Sequence, residues 1–245
     1  PYFKDKDIHT LPIEVLDMIT AMDVEEYLSY LESYTKDGKL YTNREEGKAR
    51  KLSSLKSFYD YYFKKNLIRT NPPRQVDVPK IKNKNIIRLD PNEIAQLLDE
   101  AESGEKLSGR QLASHEKTKV RDVAILTLLL GTGIRVSECV GLNLEDVDFN
   151  NGAIRIIRKG GNEALIYFGD EVSQALEAYM NGSRKTAEPA AGHEEALFIS
   201  LNKTRITTRS VERLVKKYSR LVTTVKKITP HKLRSTIIKI HILKI

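Results

Sequence analysis

The chain has a single cysteine, Cys139, in 245 residues, so no intrachain disulfide can form and a cysteine-built zinc site is excluded. It also lacks any apolar run near the ~20 residues that cross a bilayer. The longest such run, Val123 to Leu130, is interrupted by Thr127 and reads as a buried helix. The basic, apolar and small-residue order of a signal peptide is missing too, because Lys4, Asp5, Lys6 and Asp7 alternate in sign. A soluble, cytosolic protein with no membrane attachment is the expectation, in keeping with 30% charged against 40% hydrophobic residues. Acids, finally, are nearly absent from one region. Between Asn202 and Ile245 thirteen Lys or Arg stand against one carboxylate, Glu212, a local charge of +12 in a chain of net +8 and pI 9.3. Charge segregated this way repels itself unless an anion neutralises it, and a DNA backbone is the natural candidate.

The length suits two domains, each able to bury its own core. The first 70 residues read as all-helical. Asp23 with Glu26 forms a capping box ahead of Val24, Tyr27, Leu28 and Leu31, and a second helix from near Thr42 or Asn43 carries Leu52, Leu55, Phe58, Tyr59 and Tyr62 at core spacing. Asn71-Pro72-Pro73 stops that pattern, since prolines donate no amide hydrogen bond. A basic stretch follows and reads as a linker, after which Asp90-Pro91-Asn92-Glu93 opens a helix with a cap, a preset first position and a reciprocal carboxylate. Gly104 to Thr118 is polar and reads as a loop, with a helix over Val120 to Leu130 ended by Gly131. Ala153 to Arg158 and Ala164 to Phe168 flank Gly160-Gly161-Asn162 as a hairpin. Leu197 to Ser200 is a further candidate strand. Helices are expected over Glu171 to Met180 and Thr208 to Leu221, and the last box opens at Thr229-Pro230.

Cutting a phosphodiester without a metal requires fixed cations aimed at the nonbridging oxygens, where arginine's planar fork serves best. One proton must leave the nucleophile and another must reach the departing oxygen. Arg135, Lys159, His231 and Arg234 form such a set, with Glu138 placed to pair with Arg135 and no carboxylate cluster of metal-site type among them. Taken singly, Arg135 is equally a surface arginine, and Lys159 is a solvated cation at a hairpin tip.

Thr132-Gly133-Ile134-Arg135-Val136-Ser137-Glu138 and His231-Lys232-Leu233-Arg234 resemble the two arginine boxes of the tyrosine recombinases, the integrase and Xer-type family that cuts and rejoins DNA. The resemblance covers essentially the whole chain. It implies a mainly α protein: a four-helix, SAM-like core-binding domain over residues 1–75, a basic linker over 76–88, and an α+β breaking-rejoining catalytic domain with a small antiparallel sheet over 89–245. By the same resemblance Arg135 and Arg234 hold the scissile phosphate, His231 handles the nucleophile's proton and Lys159 is the general acid. A tyrosine forms a 3′-phosphotyrosyl link, so neither metal nor cofactor is needed. The expected partners are a specific double-stranded DNA site, contacted also by Lys80, Lys82, Lys84, Arg205, Arg209, Arg213 and Lys232, and further copies of the chain in a homodimer to homotetramer near the nucleoid. The N-terminus opens directly in the core-binding pattern, which points to a Xer-like or small mobile-element enzyme. The chain departs from the family in one respect: no tyrosine follows Arg234, and the tail from Ile237 is unusually apolar. As written it is expected to bind DNA without cleaving it, its catalytic domain stopping before the tyrosine helix. A type IB topoisomerase and a noncatalytic DNA-binding regulator remain open as alternatives.

Overall fold

A computed structural model describes residues 10–81, 87–158 and 160–242, the last five of these by backbone alone. The chain divides into two compact units, residues 1–85 and 86–245. The protein is mainly helical with small antiparallel sheets.

In the first unit, helix α1 (Ala21–Tyr30) starts earlier than the sequence predicts. Its cap is Thr20, whose hydroxyl accepts from the Asp23 amide at 3.3 Å while Asp23 accepts from the Thr20 amide at 2.8 Å. Asp23 is thus the third helical residue of the box rather than its cap, because the Thr20 hydroxyl sits one turn upstream. The all-helical expectation fails next: β1 (Ser33–Lys36) and β2 (Lys39–Thr42) form a hairpin. Asp37 and Gly38 both adopt positive φ, 51° and 73°, as a two-residue hairpin turn demands. Helix α2 (Glu45–Lys64) follows, and a 3-10 turn over Pro72–Gln75 closes the unit. The expected four helices are represented among the described residues by two α-helices and two 3-10 segments. Val24, Leu28, Leu31, Leu52 and Val76 make the core, so Val76, assigned by sequence to the linker, belongs to this unit. Tyr59 is buried and its hydroxyl donates to the Leu16 carbonyl at 3.3 Å, whereas Phe58 turns outward, 44% exposed.

The second unit is built around α4 (Gly109–Thr132). From Gly109 onward the polar stretch expected as a loop is this helix's N-terminal half, where His115 and Thr118 point inward and most of the side chains around them are exposed. From Ala124 to Leu130 every residue is buried, the mark of a helix packed on all sides. Each fully buried Ile or Leu there contributes about 1.5–3 kcal/mol. Around it pack α3 (Pro91–Ser103), α6 (Asp170–Tyr179), α7 (Thr208–Val222) and α8 (Pro230–Ile242). Gly131 does not end α4. It lies inside the helix where a Cβ would meet Val172 of α6 at 2.4 Å, and the left-handed turn belongs to Gly133, φ 63°, whose amide donates to the Leu129 carbonyl. Helix α5 (Val136–Gly141) begins three residues later. The sheet has the order β3 (Val147–Asp148), β4 (Ala153–Ile157), β5 (Glu163–Tyr167), antiparallel throughout, with Ile154 paired to Ile166. Among the described residues Leu197 to Ser200 joins no ladder; isolated bridges pair Asn143 with Ala196 just before it and Ile199 with Arg205.

Candidate phosphate-binding site

The Gly133 turn swings the chain from α4 into α5 and leaves Arg135 as the residue that caps α5. Glu138, in the first turn, folds back. One carboxylate oxygen accepts the Arg135 amide at 2.6 Å and the other accepts Arg135 Nη1 at 2.9 Å. The Glu138 side chain is only 4% exposed, while that of Arg135 is 55% exposed, so the carboxylate is a fixed post and the guanidinium keeps donors directed to solvent. Arg234 arrives from α8, whose position is set by fully buried Leu233, and its Nη1 lies 3.8 Å from the same Glu138 carboxylate. Two arginines from distant parts of the sequence therefore share one buried anion. The cluster retains net positive charge, and each planar fork can offer parallel N–H groups to a phosphate.

His231 is exposed in the first turn of α8, three residues before Arg234 and hence adjacent to it on the helix surface. The Thr229 hydroxyl accepts the Lys232 amide at 3.4 Å at the start of that turn. The hairpin that carries Lys159 closes through Arg158 and Asn162, whose backbone hydrogen bond is 2.8 Å, with Gly160 and Gly161 at positive φ. Lys159 itself, like Lys82 and Lys84, lies outside the described residues.

The remaining basic candidates separate into two kinds. Arg209 and Arg213 are exposed on α7, and Lys216 and Arg220, which sequence reasoning did not single out, fall on the same stripe at steps of four, three and four. Val211, Leu214, Val215 and Tyr218 bury the opposite face. Lys80 is likewise exposed. Arg205 is spent internally: Nη1 donates to the carbonyls of Val140, Gly141 and Leu142, at 2.8 Å for the last, and Nη2 donates to Asn143 Oδ1 at 2.6 Å. It caps the C-terminal end of α5 with its charge and is not open to a phosphate as the sequence predicts. Lys232 directs its ammonium to the Lys227 carbonyl at 2.6 Å.

Tyr218, the last tyrosine in the sequence, is fully buried. Its hydroxyl donates to Asp122 Oδ2 at 3.1 Å, so the His115 Nδ1 contact at 3.0 Å has the imidazole as donor. Asp122 also accepts from Thr118 and from Arg121. Burial first, and then the Asp122 charge, push the Tyr218 hydroxyl far above its ordinary pKa, and burial lowers that of His115. This network ties α7 to α4 and places Tyr218 out of reach of any phosphate. Cys139 is buried as well, its thiol pushed up to about 12 by desolvation.

Comparison with known proteins points the same way. The phage integrase family model matches residues 87–240. Tyrosine recombinase XerC of Thermodesulfovibrio yellowstonii is 37% identical over 190 residues, 77% of this chain and 60% of that protein. XerC of Caldanaerobacter subterraneus subsp. tengcongensis is 31% identical over 238 residues, 96% of this chain and 60% of that protein. The chain thus spans about 60% of the length of these curated relatives. Among solved structures, XerA recombinase matches with a TM-score of 0.54 and 24% identity, over 96% of this chain and 72% of that one. The Tn1549 transposon integrase in complex with circular intermediate DNA matches with a TM-score of 0.67 and 23% identity, over 99% and 78%. The fold is that of the tyrosine recombinases. The chain belongs to the phage integrase family.

Proposed function

We propose that these residues serve a Xer-type site-specific recombinase that cleaves and rejoins duplex DNA through a 3′-phosphotyrosyl intermediate, supplying its phosphate-holding and proton-transfer groups while the attacking tyrosine is not among them. The observation that carries the proposal is the Glu138 carboxylate shared by Arg135 and Arg234. Their guanidinium groups hold the nonbridging oxygens of the scissile phosphate and neutralise the charge that builds there in the transition state. Glu138 fixes their orientation. His231 accepts the proton of the attacking tyrosine, and Lys159 returns one to the departing 5′-oxygen. Of the tyrosines in the second unit, Tyr179 and Tyr218 are buried and Tyr167 is exposed on β5; none is assigned as the nucleophile. The first unit serves as the core-binding clamp and the second as the catalytic unit, with Arg209, Arg213, Lys216 and Arg220 of α7 and Lys80 contacting phosphates. The protein works in the cytoplasm on nucleoid or mobile-element DNA, two to four copies assembling on paired sites.

The test is a supercoiled plasmid carrying two copies of the recombination site, incubated with the whole protein. The expected product is a pair of smaller circles, lost in Arg135→Ala. Relaxed plasmid without strand exchange would refute the recombinase reading in favour of a topoisomerase.

A further inference from the structure

Helix α5 has only six residues, too few to hold its shape alone, so its position comes from what grips it. Arg135 caps its start and Glu138 is its third residue, so both groups that orient the arginine pair ride on it. Buried Cys139 and Leu142 fix one face. The far end is held by a second segment, residues 194–206. There the Leu197 amide donates to the Leu142 carbonyl at 2.9 Å and the Leu144 amide to the Glu195 carbonyl at 2.9 Å, with Asn143 bridged to Ala196. That segment is itself pinned by arginines. Arg184 donates Nε to the Ala196 carbonyl at 3.0 Å and Nη2 to the Glu194 carbonyl, while Arg121 donates Nη1 to the Ile199 carbonyl at 2.9 Å.

Arg205 closes this arrangement. Its Nη1 lies 3.2, 3.1 and 2.8 Å from the carbonyl oxygens of Val140, Gly141 and Leu142, and its Nη2 lies 2.6 Å from Asn143 Oδ1. The last carbonyls of a helix have no partner within it and carry the negative end of its dipole. One rigid guanidinium therefore supplies both the donors and the charge that this end requires. At 1.5 Å per residue α5 is about 9 Å long. A shift of about 1 Å at its far end moves Glu138, near its middle, by about 0.5 Å, which already uses up the tolerance of a reacting constellation.

We propose that Arg205 is a positioning residue: by fixing the C-terminal end of α5 it sets the Glu138 carboxylate, and through it the Arg135 and Arg234 forks, for a phosphate that Arg205 does not touch. The role rests on the recombinase reading above, because its consequence is a cleavage rate. Arg205 acts on that rate and not on DNA affinity.

The experiment takes the whole protein and site-bearing DNA through two readouts: single-turnover cleavage at saturating DNA, and binding anisotropy between about 50 and 200 mM salt. Urea curves first establish that each variant is folded under the assay conditions, so that rates are per folded molecule. Arg205→Gln should cleave about 10–100-fold more slowly, with affinity within about twofold of wild type and the salt slope unchanged. Arg205→Lys, whose ammonium has three donors for the same three carbonyls, should recover the rate to within about threefold. Arg205→Gln combined with Glu138→Gln should cost less than the product of the two single losses, because both act through one carboxylate. If Arg205→Gln fails to fold, Asn143→Ala, which removes only the Nη2 acceptor, should lower the rate about 3–10-fold at an unchanged slope, and a wild-type rate there overturns the proposal. A slope reduced by about 0.9 with the saturating rate retained makes Arg205 a phosphate contact and overturns it too. So does a wild-type rate in folded Arg205→Gln, or a double variant whose losses simply multiply. No cleavage by the wild-type protein overturns the recombinase reading and the Arg205 role with it.

Discussion

Replacing Glu138 with glutamine preserves its shape and removes its charge, so it separates orientation of the two arginines from simple packing. The carboxylate has two hydrogen-bond debts to satisfy: the Arg135 amide at 2.6 Å and Arg135 Nη1 at 2.9 Å. A glutamine offers one carbonyl oxygen, and its amide nitrogen would face a donor. Losing the helix-capping bond costs about 0.5–2 kcal/mol. Because Arg135 is more than half exposed, the lost ion pair adds no more than about 1 kcal/mol after solvent screening. Arg234, 3.8 Å from the carboxylate and without a hydrogen bond to it, adds little to stability. The total is about 0.5–3 kcal/mol, or a Tm lowered by a few degrees for a protein of this size. Function should suffer more than stability, because the variant loosens both forks at once. A single-turnover cleavage rate lowered roughly 10–100-fold is expected, less than the 10²–10³ of deleting an electrostatic donor outright. DNA affinity should change far less. The assay pairs urea denaturation with single-turnover cleavage of site-bearing DNA by the whole protein. A variant that melts earlier but cleaves at the wild-type rate would show Glu138 to be a helix cap and nothing more.

Other consequences follow from the buried groups. Tyr218→Phe leaves His115 Nδ1 without its acceptor and removes one donor from Asp122, so urea denaturation should show a loss of about 1–3 kcal/mol; no change would mean the network is not an energetic link between α4 and α7. Burial lowers the pKa of His115, so as pH falls below the ordinary histidine value of about 6.5 the unfolded chain takes up a proton that the folded chain refuses, and stability drops by up to about 1.4 kcal/mol per pH unit until the folded pKa is passed. Thermal melts from neutral to mildly acidic pH should show that slope in the wild type and lose it in His115→Gln; the same slope in both would assign it elsewhere. Cys139, buried with its thiol pushed up to about 12, should resist a thiol-reactive dye until the protein unfolds. Labelling of the native protein as fast as that of a free thiol would contradict its placement.

Features written in contiguous residues were legible in the sequence. The Asp90–Glu93 capping box is present, with reciprocal bonds of 2.8 and 2.9 Å, and the hairpin around Gly160-Gly161 pairs as the alternation implies. The second arginine box opens a helix at Thr229-Pro230 as its turn chemistry implies, whereas the first spans the end of α4 and the start of α5, a short helix that was not expected. What escaped depends on tertiary context. Asp37-Gly38 falls between two helical patterns and was not read as a turn, so β1 and β2 were not expected. The first half of α4 looks polar in sequence because only His115 and Thr118 turn inward there. Arg205 and Arg209 are indistinguishable as letters; one is consumed by three carbonyls and the other faces water. Sequence spacing paired Glu138 with Arg135, but only the packing of Leu233 shows that the same carboxylate reaches Arg234.

The central claim is that Arg135 and Arg234 act together on one phosphate. It is tested most directly by trapping the covalent protein–DNA adduct on a nicked, site-bearing substrate with the whole protein. Wild type should accumulate the adduct. Arg135→Ala and Arg234→Ala should each reduce it by at least about 10²-fold, and the double variant should fall little further, since groups acting as a unit are not additive. Adduct formation at the wild-type rate in either single variant would contradict the account.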